Sequence, residues 1–510
     1  MLGRVYSASV LGIDAEPILA EADVKDGLPS FSMVGALSSE TKEAKERVRI
    51  ALENSGYRLP VKRITVNLSP ADIRKDGTSF DLSVAIAVLT AFGFIPEEVC
   101  KNFIFLGELC FDGRIGPVTG TLVVACMARE KGFTSLVVPK ENAAEAALAG
   151  DLTVYAAETL SEVVEHLAGV CPMRPYCEEE MWSEALQKYP DFSEVHGQKM
   201  AKRALEIAAA GRHNVLMVGP PGTGKTMLAK RLPSILPTLS YEECLEISKI
   251  YSVVGLLGEE KKLILRPPFQ APHHTISDAA FAGGGRRATP GIISLAHKGV
   301  LFLDEFPEFK RSTIEVLREP LEERKITVTR LDAAYTYPAG GMLVAAMNPC
   351  NCGYYPDKTR CNCSEHQVRQ YLGKISRPLL DRIDLCVSVV QIPLGELKSE
   401  EAVENSDSIR KRVEEARKRQ NERYKEIAAN TNAELSSKDV ERFCLLSENA
   451  RKRMDYAYSK YMFSARAYHR IMKTARTIAD LAGTENIEEE ALLEALSYRQ
   501  PELDYWGLQR

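Results

Sequence analysis

Asn214-Val-Leu-Met-Val-Gly-Pro-Pro-Gly-Thr-Gly-Lys-Thr226 is the stretch from which the rest of the chain is read. Val215, Leu216, Met217 and Val218 form a short apolar run suited to a buried strand, and Met227-Leu-Ala-Lys-Arg-Leu232 continues at helical spacing. Between them, Gly219, Gly224, Lys225 and Thr226 fit the pattern G-x-x-x-x-G-K-[ST]. In such a loop, backbone N–H groups and a lysine surround a nucleotide's phosphates while the hydroxyl holds Mg²⁺. The strand-loop-helix setting makes the match specific. It predicts an ATP and Mg²⁺ site built from Gly219, Pro220, Pro221, Gly222, Thr223, Gly224, Lys225 and Thr226.

A chain of 510 residues has room for about three domains, and 45% apolar with 26% charged residues is ordinary globular usage. No apolar run approaches the roughly 18 residues of a membrane span. The opening Met1-Leu-Gly-Arg-Val-Tyr-Ser-Ala-Ser-Val10 lacks a signal peptide's apolar block, so the expectation is a cytoplasmic protein without a membrane partner. A formal net charge of −5 leaves local basic loops as the place for any nucleic-acid contact. Twelve cysteines in a cytoplasmic chain do not suggest disulfides; eight are scattered as small apolar residues and four are clustered.

Residues 1–169 alternate short strands and helices, which predicts one mixed α/β domain. Strands are expected at 64–68, 103–106, 135–138 and 152–155, and helices at 39–56, 82–92, 121–131 and 160–167. Residues 170–190, with an acidic run at Cys177-Glu-Glu-Glu180, read as a linker, and 192–211 as a helix leading to the phosphate-loop strand.

Downstream, Gly299-Val-Leu-Phe-Leu-Asp-Glu-Phe306 is an apolar strand ending in two carboxylates. Beside the phosphate-loop strand it would put Asp304 at the Mg²⁺ and Glu305 where it can deprotonate the attacking water. A further strand, 342–347, ends in Asn348, an amide able to position that water; alone, Asn348-Pro349 would read as a turn. Ser376-Arg-Pro-Leu-Leu-Asp-Arg-Ile-Asp384 carries Arg377 and Arg382, and Ser464-Ala-Arg-Ala-Tyr-His-Arg470 opens a periodic helix with Arg466 in its first turn. A surface salt bridge is the ordinary alternative for such arginines.

Together these residues resemble an AAA+ ATPase of the magnesium-chelatase-like group. Two front-end pieces, Lys75-Asp-Gly-Thr-Ser-Phe-Asp81 and Gly107-Glu-Leu-Cys-Phe-Asp-Gly-Arg-Ile-Gly-Pro-Val118, resemble the proteolytic domain of Lon-type proteases, which narrows the resemblance to the ComM/YifB family. It implies a Lon-like (ribosomal S5 domain 2-like) α/β domain at 1–169, a linker at 170–190, an AAA+ P-loop core with a parallel sheet at 191–394, and a C-terminal helical lid at 395–510. It assigns 219–226 as Walker A, Asp304-Glu305 as Walker B, Asn348 as sensor 1, Arg382 as the trans-acting arginine finger with Arg377 second to it, and Arg466 as sensor 2. On the Lon pattern, Ser79 falls on the nucleophile and Leu122 on its lysine, and a serine without a base is a poor nucleophile. The domain is therefore read as an inactive scaffold, with Ser79 a turn or capping residue.

Two insertions extend this. Arg266-Pro-Pro-Phe-Gln-Ala-Pro-His-His-Thr275, followed by Phe281-Ala-Gly-Gly-Gly-Arg-Arg287, offers a glycine loop whose Arg286 and Arg287 could follow a phosphate backbone. Adjacent His273 and His274 point apart in most settings, which argues against a metal pair there. Residues 325–338, which include Arg330, alternate like a hairpin just before the 342–347 strand, and in related ring motors that hairpin lines the pore.

The clustered cysteines are Cys350-Asn-Cys352 and Cys361-Asn-Cys363. Four thiolates suit a closed, structural Zn²⁺ site, although the C-x-C spacing is tighter than the usual knuckle, and four reduced thiols in a surface loop are the alternative. The charged stretch 397–424 reads as a solvated lid face or subunit contact. The resemblance implies a homo-oligomeric ring, a hexamer, acting on single-stranded or branched DNA as a branch-migration helicase in recombination and natural transformation. Rival readings are a magnesium-chelatase motor subunit driving metal insertion, an ATP-dependent remodelling or protease-like assembly, and a nucleotide-binding scaffold without turnover.

Overall fold

Period-two burial organises the front of the chain. In Asp14–Lys25, Ala15, Ile18, Ala20, Ala22 and Val24 turn inward while polar residues alternate outward. This strand pairs antiparallel along its length with Leu2–Leu11, from Leu2 opposite Asp23 to Leu11 opposite Asp14. The computed structural model describes residues 2–177, 189–257, 263–285, 288–329, 334–393 and 404–507.

The front domain is a seven-stranded sheet in the order Ser30–Val34, Arg63–Ser69, Asp14–Lys25, Leu2–Leu11, Phe103–Phe105, Ser135–Pro139, Thr153–Ala157. The four expected strands are there, within two residues at each end, and so are the four helices, Ser39–Asn54, Asp81–Ala91, Thr121–Glu130 and Leu160–Leu167. The first three strands of the chain were not expected from the sequence. In the first two, the buried positions are filled largely by alanine and serine, including Ser7, Ala8, Ala20 and Ala22, so hydrophobic alternation barely registers, and the third, Ser30–Val34, has no fully buried residue. Helix Asp81–Ala91 is buried on every side, as an all-round apolar helix must be.

The second domain is built on a five-stranded sheet, Phe269–Gln270, Val300–Leu303, Met342–Met347, Val215–Val218, Leu385–Ser388, in that order and all parallel. Val215 and Met217 join the core on one face, Leu216 and Val218 the core on the other. Burial on both faces is why these strands read as unbroken apolar runs. The helix expected over 192–211 begins only at Lys199, because Gly197 and Gln198 hold positive φ values of 60° and 53° that interrupt it.

C-terminal helices Ser406–Arg423, Ser437–Phe443, Glu448–Tyr461, Ala465–Ala482, Glu489–Ser497 and Gln500–Trp506 complete the chain. Helix Ser406–Arg423 is charged, yet it is not simply a solvated face. Ile409, Val413, Ala416 and Gln420 form a buried stripe, Arg412 pairs with Glu206 at 2.6 Å, and Gln420 Nε2 donates to Ala210 O. That stripe docks on Lys199–Gly211. The remainder of the charged stretch, 397–403, lies outside the described residues.

The two α/β domains meet through helix Tyr241–Val253. Gly120 N donates to Ser252 O at 3.1 Å, and Tyr241 Oη donates to Leu148 O at 3.0 Å.

Candidate active site

Parallel pairing in register puts the carboxyl ends of three strands side by side. Val218 is level with Met347, and Leu303 with Ala345, so Gly219, Asp304 and Asn348 emerge at one edge of the sheet. The loop leaving Val218 is fitted closely to its surroundings. A Cβ on Gly219 would meet Val389 O at 2.1 Å, and Gly222 and Gly224 hold φ at 76° and 89°, which favours residues without a Cβ.

Lys225 folds back over this loop. Its Nζ donates to Gly219 O at 2.7 Å, to Pro220 O at 2.8 Å and to Asn348 Oδ1 at 3.2 Å. Burial lowers its pKa to about 8, against the opposing pull of the Asp304 carboxylate. Thr226 Oγ1 donates to Asp304 Oδ2 at 2.6 Å, so the hydroxyl and the carboxylate proposed as Mg²⁺ ligands already converge. Glu305 has φ of 50°, uncommon for a residue with a side chain, and its N–H donates to Asp304 Oδ1 at 2.9 Å. Its exposed carboxylate lies 3.4 Å from His274 Nδ1.

The sequence raises His274 only as a metal ligand. The structure instead delivers it to Glu305, from the segment that follows strand Phe269–Gln270, an edge neighbour of Val300–Leu303. His273 Nδ1 pairs with Thr275 Oγ1 at 2.9 Å. No spacing rule links positions 274 and 305; only the sheet order does.

Arg382 and Arg466 are not brought to the phosphate loop of their own chain. Arg382 precedes strand Leu385–Ser388, whose first residue is level with Val215, so it sits at the amino edge of the sheet, opposite Gly219. Its Nη2 pairs with Glu322 at 2.7 Å and Nη1 donates to Pro378 O, leaving the side chain 12% exposed. The Arg377 side chain, 60% exposed, contacts Glu502 at 3.5 Å. Arg466 is exposed in the first turn of Ala465–Ala482. One turn on, Arg470 donates to Leu380 O and Ile383 O, which sets this helix end by the same amino edge.

The four cysteines converge. Cys350 Sγ is 3.3 Å from Cys352 Sγ and 3.8 Å from Cys361 Sγ, and all four sulfurs lie within 4.8 Å of one another. They are the one such gathering of metal-type ligands among the described residues.

Arg286, Arg287 and Arg330 lie outside the described residues. The strands flanking them do not: Gly283–Gly284 pairs with Thr289–Pro290, Lys325–Thr329 with Ala334–Pro338, and Tyr337 Oη donates to Ala288 O at 2.6 Å across the two hairpins.

In the front domain, Ser79 occupies the turn before helix Asp81–Ala91, and that helix has no side-chain cap. Phe80 is buried, and Asp81, fully buried, is held by Arg47 Nε at 2.6 Å and Nη2 at 3.0 Å. The residues that depart from the Lon pattern thus serve the core. Leu122 is fully buried, and Lys75 donates to the backbone carbonyls of Pro70 and Ile73.

Comparison with known proteins agrees with this layout. The family described as magnesium chelatase, subunit ChlI, matches residues 191–397, with related descriptions matching 20–142 and, for the ChlI C-terminal part, 403–499. Competence protein ComM of Haemophilus influenzae is 42% identical over 505 residues, covering 98% of this chain and 97% of that protein. YifB of Salmonella typhimurium is 40% identical over 499 residues, with 98% and 97% covered. A Lon protease of Bacillus thuringiensis is 25% identical over 181 residues, 33% of this chain and 22% of its own length.

Proposed function

Because the chain belongs to the ComM/YifB family of magnesium-chelatase-like AAA+ ATPases, we propose that it is a ring motor, a homo-hexamer, whose ATP hydrolysis moves single-stranded or branched DNA. The ATPase motor follows from the family; the DNA, the ring size and the residue roles are our reading. So is the division into a front domain at 1–169, a linker at 170–190, a core at 191–394 and a lid at 395–510. A role in branch migration during recombination and natural transformation is the pathway this reading favours. No helix among the described residues is long and apolar enough to cross a membrane, and we place the protein in the cytoplasm.

The observation that carries the ATPase assignment is the meeting of Thr226 with Asp304 and of Lys225 with Asn348 at one sheet edge. In the proposed reaction, loop N–H groups and Lys225 bind the phosphates. Thr226 and Asp304 would hold Mg²⁺, which would supply charge neutralisation on the transferred phosphoryl group. Asn348 orients the water and Glu305 takes its proton. Arg382 and Arg466, at the far edge of the sheet, are proposed to complete a neighbouring copy's site, which makes turnover depend on assembly. The cofactors are ATP and Mg²⁺, with structural Zn²⁺ at the four cysteines. The front domain serves as an inactive scaffold.

An ATPase assay with and without single-stranded and forked DNA tests this. Lys225→Ala should lose binding and turnover together, whereas Glu305→Gln keeps shape and hydrogen bonding and should bind ATP but stall. Normal turnover in Glu305→Gln would refute its role. ATP hydrolysis indifferent to every DNA structure, with no DNA binding, would sink the DNA assignment and leave the motor without its track.

A further inference from the structure

We propose that Cys350, Cys352, Cys361 and Cys363 hold one structural Zn²⁺, and that this metal fixes Asn348 over the phosphate loop. The first half stands on the cysteines alone; the second rests on the ATPase reading above.

Sulfur spacing is the first argument. The distances of 3.3, 3.5 and 3.8 Å among Cys350, Cys352 and Cys361 are far longer than a disulfide bond, and every cysteine among the described residues is free. They fall close to the edge of a tetrahedron with metal–sulfur arms of about 2.3 Å, which is about 3.8 Å. Cys350 is fully buried and the other three are partly buried, so the group does not read as loose thiols on a surface loop. The backbone supports a thiolate as well: Tyr355 N–H donates to Cys350 Sγ at 3.5 Å, and Gly353 N–H to Cys350 O at 3.0 Å, a tight turn wrapped on the first sulfur.

The second argument is position. Cys350 is two residues beyond Asn348, at the exit of strand Met342–Met347. Cys363 immediately precedes Ser364, the cap of helix Glu365–Leu372, whose capping box with Gln367 fixes where that helix starts. A metal on both pairs therefore ties the strand exit to the helix entrance. Tyr371, on that helix, lies against the backbone N–H of Asn348. A Cβ on Gly353 would meet Pro221 Cδ at 2.6 Å, so the first cysteine turn rests directly on the phosphate loop. Four thiolates leave no open coordination position, so the metal does no chemistry of its own. Its binding releases thiol protons and orders the turn that carries Asn348.

The test uses the full chain purified in reducing buffer from zinc-supplied cells. Elemental analysis should find about one zinc per chain, and cobalt exchange should give the intense thiolate-to-metal absorption of a tetrahedral sulfur site. Cys352→Ser with Cys363→Ser should abolish both. Releasing the metal from wild-type chain with an organomercurial, then removing the mercurial with excess thiol, should lower kcat on the order of 10- to 100-fold, because a misplaced Asn348 misorients water. Affinity for a fluorescent ATP analogue should change far less, since Lys225, Thr226 and Asp304 stay in place, and added Zn²⁺ should restore kcat. Absence of zinc together with absence of the cobalt band overturns the site. A zinc-loaded chain whose kcat survives metal release overturns the coupling to Asn348. If no preparation hydrolyses ATP, the ATPase reading fails while the metal measurements still decide the site.

Discussion

His274 Nδ1 lies 3.4 Å from Glu305 Oε2, so the proposed catalytic base is already engaged by a side chain from the neighbouring insertion. A base held this way has to exchange that partner for water before it can act. His274→Ala should therefore raise basal ATP turnover several-fold with little change in nucleotide affinity. Steady-state kinetics checks this, and a fall in kcat would mean that the histidine orients Glu305 rather than restraining it.

Lys225 gives the site a pH dependence. Its pKa falls from 10.5 to about 8 because burial disfavours the charged amine more than Asp304 favours it. The folded value lies below the unfolded one, so this group opposes folding fully below about pH 8, by roughly 3 kcal/mol, and the opposition fades as pH rises towards 10.5. Phosphates restore the charge. ATP affinity should thus be flat below about pH 8 and weaken up to about tenfold per unit above it, with proton uptake on binding. Calorimetry near pH 9 in two buffers of different ionisation enthalpy measures that uptake; none would place the lysine's proton outside the binding step.

Arg382 and Arg377 separate by mixing. Each lies near the amino edge of the sheet, with Arg382 folded onto Glu322 and Arg377 more exposed. A finger supplied by a neighbour is worth roughly 10³ to 10⁵ in rate in GTPases. Arg382→Ala mixed with Lys225→Ala should regain activity at mixed interfaces that neither parent shows. If mixed rings form and regain nothing, while Arg377→Ala alone abolishes turnover, the finger is Arg377.

The sequence reached the nucleotide site because that site hangs on fully buried parallel strands, and such strands are contiguous apolar runs. Gly219, Asp304 and Asn348 are each the first residue past one of them. Leu2–Leu11 and Asp14–Lys25 escaped because small residues fill much of their buried face, and Ser30–Val34 because it is five residues long with no fully buried position. The facing of His274 to Glu305, and the seating of Arg466 away from the loop of its own chain, depend on strand order and lid docking. Neither leaves a local pattern to read.

Arg286, Arg287 and Arg330 should hold DNA, since a chain of net charge −5 has to meet phosphates locally. The described segments that flank them in sequence are joined by the Tyr337 Oη bond to Ala288 O. Arg286→Ala with Arg287→Ala should weaken binding irrespective of sequence. On single strands it should also flatten the log-log salt dependence by about 0.7 for each phosphate that is no longer neutralised. Basal hydrolysis should survive and DNA stimulation disappear. Unchanged affinity and slope take these loops off the DNA path.

The helix that would carry a peptidase lysine serves as a joint. Leu122 N–H donates to Glu145 Oε1 at 3.1 Å, and the same oxygen accepts from Ser252 Oγ, on the ATPase helix, at 2.5 Å. Glu145 is buried, so losing one of its donors is expected to cost about 1–3 kcal/mol. Tyr241, which reaches Leu148 O, supplies a second tie. Ser252→Ala with Tyr241→Phe should split one cooperative thermal transition into two, because each domain keeps its own core while the link between them weakens. The front domain should digest no unfolded protein, with or without ATP, since Leu122 offers no base and Lys75 is turned to backbone carbonyls. Calorimetry reads the first outcome, where an unchanged single transition would make the joint energetically idle. Substrate digestion reads the second, where cleavage abolished by Ser79→Ala would show that another residue has taken the lysine's place.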